Sequence, residues 1–142
     1  TAPTEIYTLS LHDALPILLT GKYLPGQAPQ EGTRAARGDR RMSETEFREE
    51  SLQIAQTLKQ HAEQRGISLA QFATAWVLAH RAISSVIAGP RTLAQWQDYF
   101  PALDYVVTPE DEQLVNELVA PGHPSTPGYT DPAYPLSPRR RG

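Results

Sequence analysis

The sequence contains no cysteine. That excludes a disulfide framework and any thiolate metal site. It also lacks a dominant charge: 13 basic residues face 16 acidic ones, a formal net of −3. A balance this mild gives no general attraction to nucleic acid or to an anionic membrane. No apolar run approaches the roughly 20 residues needed to span a bilayer. Residues 1–17 have neither the basic start nor the long apolar stretch of a signal peptide. A cytoplasmic location is the expectation that fits these absences. What is present is the material of a globular domain, 39% apolar and 20% charged over 142 residues. That length suits one ordinary domain. Proline is plentiful, 13 in all, and most of it lies in 25–29 and 121–138. No internal repeat is visible.

Ser43 followed by Glu46 has the form of a capping box and predicts a helix running to about Arg65. Phe47, Ile54, Ala55, Leu58 and Ala62 recur at helical spacing, so one stripe faces a core. Gly66 stands where a helix-ending glycine belongs. Ser68 with Gln71 forms a second capping box, and "LAQFATAWVLAHR" carries Leu69, Phe72, Ala73, Trp76 and Val77 on one broad apolar face. The short β-branched run "ISSVIAG" then predicts a buried strand over 83–88. "TLAQWQDYF" predicts a short helix. Thr108-Pro109-Glu110-Asp111 predicts another, through about Val119, with proline at its first position and acids in its first turn.

Helix, strand, glycine turn and helix are the grammar of a parallel α/β fold, in which ligands sit at the carboxyl ends of strands. Attention therefore falls on "SSVIAGPRTLAQWQDYF". Gly89 would let the backbone approach a ligand closely. The amides opening the next helix favour an anion, and Arg91 can hold a phosphate in bidentate fashion. Gln95 and Asp98 lie one turn apart and could face the same ligand. The bland alternative makes Arg91 a solvated charge, with Gln95 and Asp98 on an exposed face. Other features carry less. Lys22 after Thr20-Gly21 lacks the rest of a phosphate-binding P-loop. His61 and His80 lie near helix polar faces and read as solvated, His123 reads as a loop residue, and Trp76 reads as core.

The same segment resembles the last βα unit of the aldo/keto reductase family, whose turn reads roughly G-x-R-x-x-x-Q-x-x-[DE]-N. Further matches follow in order over residues 18 to about 135: "LLTGKY", "GTRAA", "FATAWVLAHRAISSVIAGPRT" and "TPEDEQLVNELV". The resemblance implies an α/β fold, the C-terminal part of a TIM (β/α)8 barrel, and NADP(H)-dependent reduction of aldehydes or ketones. It implies that Lys22 belongs to the loop closing over the cofactor pyrophosphate and that Arg34 belongs to the same covering loop. It implies that Gly89, Arg91, Gln95 and Asp98 bind the adenosine end of the cofactor. Arginine at position 91 suits a 2′-phosphate, and so NADP over NAD. Tyr99 departs from the asparagine usual in the family. The implied partner is a small-molecule carbonyl compound, with no nucleic acid and no membrane.

The family's general acid is a tyrosine tuned by a lysine and an aspartate, with a histidine orienting the carbonyl. These come from the first four strands, and no position here matches them. No catalytic residue is therefore assigned in this chain, which corresponds to the last quarter to third of a barrel of about 250 residues. "EIYTLSLHDALPI", residues 5–17, resembles translated sequencing-adapter DNA throughout its length. Residues 1–17 are accordingly expected to be an adapter-derived artefact, residues 18–135 the barrel segment, and 136–142 a flexible basic tail. Without Glu5 and Asp13 the balance becomes 14 acidic against 13 basic residues, a net of −1. Two other functions compete. One keeps the barrel and the cofactor in a redox-sensing regulatory subunit. The other is a helix-turn-helix DNA-binding domain, suggested by "ISLAQFATAWVL" before "ISSVIAG" and opposed by the acidic balance.

Overall fold

The structure, a computed structural model, describes residues 18–19, 21–33, 35–38, 40, 47–81, 83–90 and 92–119. Arg34, Arg91, residues 1–17, the Ser43–Glu46 pair and the tail with His123 lie outside the described residues. Helix α1 spans Glu49–Gln64 and α2 spans Leu69–Leu78. Helix α3 is short, Leu93–Asp98, and is followed by a 3₁₀ turn over Phe100–Leu103. Helix α4 closes the order at Pro109–Leu118.

Helix α1 begins later than the spacing predicts. Arg48 is extended, with φ −118° and ψ 150°, and supplies no side-chain cap. Phe47 leaves the helical stripe to pack edge-on against Tyr23, their ring centroids 5.5 Å apart, beside Leu18 and Leu52. The far end matches expectation. Gly66 adopts φ +77°, its amide donates to the Glu63 carbonyl at 3.0 Å, and the Ile67 amide donates to the Ala62 carbonyl at 3.1 Å. That pair of bonds is a Schellman motif, which needs a residue free to take the left-handed conformation.

Helix α2 starts at the predicted capping box, with the Gln71 amide donating to Ser68 Oγ and the Ser68 amide donating to Gln71 Oε1. It is buried on nearly every side, at Leu69, Gln71, Phe72, Ala73, Thr74, Ala75 and Val77. Phe72 joins Ala55, Leu58, Ala62 and Leu69 in the main core, onto which Tyr105, Leu114, Val115 and Leu118 pack. Trp76 is half-buried rather than core. Its indole N–H donates to Glu112 Oε2 at 2.9 Å and ties α2 to α4.

The predicted strand is a correction. Residues 83–86 form no ladder, and among the described residues of 83–88 only Ile87 shows an isolated bridge. Ile87 is 47% exposed. A β-branched segment becomes a strand only when neighbouring strands take up its amides and carbonyls. The described residues supply no such neighbour, so composition was satisfied and pairing was not. Among the described residues the helices thus stand without the sheet of an α/β barrel.

Candidate cofactor site

Lys22 sits on a tight turn whose two neighbours are fixed. The Gly21 amide donates to the Leu18 carbonyl at 3.1 Å, and Gly21 takes φ +68°. Tyr23 is buried among Leu18, Leu52 and Phe47. Between them Lys22 is exposed, its ammonium 5.4 Å from the centroid of the Tyr23 ring. A cation over an aromatic face is mildly favoured, and the arrangement leaves the charge open to an anion.

The other described residues expected at the cofactor lie on and before α3. Gly89 is exposed. Thr92 caps the helix: Gln95 N–H donates to Thr92 Oγ1 at 3.2 Å, and the Thr92 amide donates to Gln95 Oε1 at 3.3 Å. One amide expected to face an anion is therefore used by the cap. Asp98 accepts from Gln71 Nε2 twice, at Oδ1 (2.8 Å) and at its main-chain carbonyl (2.9 Å). This fixes the carboxylate and leaves Oδ2 to accept from a ligand hydroxyl or amine. Tyr99 is half-buried at the end of α3, and burial, reinforced by Asp98, raises its hydroxyl above the ordinary value.

Sequence spacing shows Gln71 only as a capping residue. Its grip on Asp98 spans 27 positions and leaves no local signal. The Asp111 cluster escapes sequence reading for the same reason. Asp111 is fully buried. Its Oδ1 accepts from His61 Nε2 at 2.5 Å, and its Oδ2 accepts from Tyr105 Oη and the Thr108 amide, both at 2.8 Å. The Arg65 guanidinium lies 3.7 Å from Oδ1. Burial alone would push this carboxyl up, but the hydrogen bonds from Thr108, His61 and Tyr105 outweigh it and hold it at about 2. Burial and the bond to Asp111 push the Tyr105 phenol to about 12. His61 is thus no solvated surface histidine but the link between α1 and the start of α4. With every oxygen engaged by the protein, the cluster is structural cement between helices.

The Lys22 turn, held on α1, offers an exposed ammonium, and α3 offers a carboxylate fixed by Gln71. The sequence model of the aldo/keto reductase family matches residues 17–120. A probable voltage-gated potassium channel subunit beta from Oryza sativa subsp. japonica is 31% identical over 79% of this chain and 35% of its own length. The protein of the same description from Arabidopsis thaliana is 32% identical over 63% of this chain and 27% of its own. An L-glyceraldehyde 3-phosphate reductase from Escherichia coli O157:H7 is 31% identical over 74% of this chain and 31% of its own. The chain spans about a third of the length of these relatives. The match covers most of the sequence and sets the helix-turn-helix reading aside: the chain belongs to the aldo/keto reductase family.

Proposed function

We propose that these residues form the cofactor-binding C-terminal part of an NADP(H)-dependent aldo/keto reductase acting on small aldehydes or ketones. The observation that carries the reading is the family match over residues 17–120, which includes the spacing Gly89, Arg91, Gln95, Asp98. The described residues suit the cofactor chemically. Lys22 offers an exposed ammonium for the pyrophosphate, and Asp98 offers a fixed acceptor for the adenosine end. Arg34 and Arg91 would add guanidinium groups, the second for the 2′-phosphate. When bound, the cofactor supplies the hydride; this chain's residues hold and orient it.

The test is Arg91→Ala in the full-length protein. NADP(H) binding should weaken by about 1.5–3 kcal/mol, the worth of a charge-assisted contact, while NAD(H) binding changes little. Equal losses for the two cofactors in a titration would remove Arg91 from the 2′-phosphate. A second reading, a regulatory subunit that binds NADP(H), is favoured by the two relatives described as probable potassium channel beta subunits. Steady NADPH oxidation by the full-length protein with a panel of aldehydes favours the reductase; tight cofactor binding without turnover favours the subunit.

A further inference from the structure

Gln56 and Lys59 occupy one face of α1, three positions apart, and both reach across to the turn that carries Lys22. Gln56 Nε2 donates to the Tyr23 carbonyl at 2.8 Å, with the Gly21 carbonyl at 3.5 Å. Lys59 Nζ donates to the same Gly21 carbonyl at 3.4 Å. The Lys59 stem lies directly across Gly21, where an added Cβ would stand 2.7 Å from Lys59 Cδ. Lys22 is therefore flanked on both sides by carbonyls held from α1, and of the three residues only its side chain is exposed.

We infer that Gln56 is a positioning residue for cofactor binding, fixing the Gly21–Tyr23 backbone so that the Lys22 ammonium is presented in one place. The inference rests on the proposed pyrophosphate role of Lys22. An exposed lysine loses much side-chain freedom when it engages an anion. A mobile turn would add its own ordering cost to that, and a turn already tied to a helix has met the cost on folding. Gln56 suits the task because its neutral amide holds the Tyr23 carbonyl without adding to the charge that Lys59 already brings to the Gly21 carbonyl. Its neighbours Leu52 and Ala55 are buried in the core, so the anchor itself is rigid.

The experiment is a double-mutant cycle in the full-length protein, read as NADP(H) dissociation constants. Gln56→Glu keeps the shape and turns an oxygen toward the Tyr23 carbonyl; Gln56→Met removes the bond without adding charge. Each should weaken binding roughly three- to tenfold, the worth of one hydrogen bond. In a Lys22→Met background the same changes should matter less than about twofold. Hydrogen exchange at the Gly21 amide, which donates to the Leu18 carbonyl, should quicken in both variants while α2 stays protected. Equal weakening with and without Lys22 would make Gln56 merely structural, and no weakening in either background would overturn the inference outright. Lys22→Met leaving affinity unchanged would instead sink the pyrophosphate role of Lys22, and this inference with it.

Discussion

Asp111 shows how much one residue can decide. Its carboxylate is buried and accepts from three residues at once, His61 on α1 and Tyr105 and Thr108 in the connection before α4. Removing it leaves those donors facing each other in the core. In the full-length protein, Asp111→Ala should cost about 3–5 kcal/mol, as measured by urea unfolding. The pH dependence follows from the shifts. Asp111 falls from an ordinary 3.8 to about 2 on folding, so its contribution is complete above pH 4 and lost as pH falls through 2. That loss is on the order of 2 kcal/mol. Tyr105 is raised from 10.0 to about 12, so its contribution is complete below pH 10 and lost as pH rises through 12. An acid limb unchanged by Asp111→Asn would show that other carboxylates govern it. Part of this residue was legible: the Thr108–Asp111 spacing announces a cap. The rest was not, because His61 lies 50 positions away and a helical wheel places it on a polar face. Burial of a polar side chain by a distant helix has no signature in local spacing.

Elements set by neighbours three or four residues away were readable for the same reason. Ser68 with Gln71, Thr108 with Asp111 and the glycine after α1 are all closed by short-range bonds. The stretch over 83–88 was read from β-branched composition, which records a preference for a pleated surface and not the presence of a partner strand. Glycine positions allow a direct contrast between elements. At Gly66 a Cβ would meet nothing within 4 Å, so Gly66→Ala costs only the left-handed conformation at φ +77°, about 1–2 kcal/mol. At Gly21 the φ of +68° adds the same strain, and the new Cβ also displaces the Lys59 stem. Gly21→Ala in the full-length protein should therefore lose both stability and NADP(H) affinity, whereas Gly66→Ala should lose stability alone. Paired unfolding and cofactor titrations separate the two, and unchanged affinity in Gly21→Ala would mean the turn does not serve the cofactor.

At the scale of the whole molecule, the helices have a core but the surfaces around them are unfinished. Leu93 (70%), Leu103 (69%) and Val106 (79%) are largely exposed, and Trp96 and Phe100 stack edge-on at 5.6 Å while each stays nearly half in water. The Tyr23 hydroxyl is buried without a hydrogen-bond partner among the described residues, a loss of about 1–3 kcal/mol. Residues 83–86 join no ladder. Whole domains are stable by only about 5–15 kcal/mol, so deficits of this size decide the outcome. Helices α1 and α2 are joined by a Schellman turn and a capping box and share the Phe72 core, so they retain helical signal. The 142-residue chain should consequently show helical circular dichroism, bind a hydrophobic dye, and lose structure on heating without a sharp transition. It should also fail to oxidise NADPH with any aldehyde, since no residue in it matches the family's proton donor. Its exposed apolar residues should favour association at higher concentration. Calorimetry and an absorbance assay on the purified chain decide the matter. A cooperative melt together with measurable turnover would mean that these residues form a complete fold and carry a proton donor of their own.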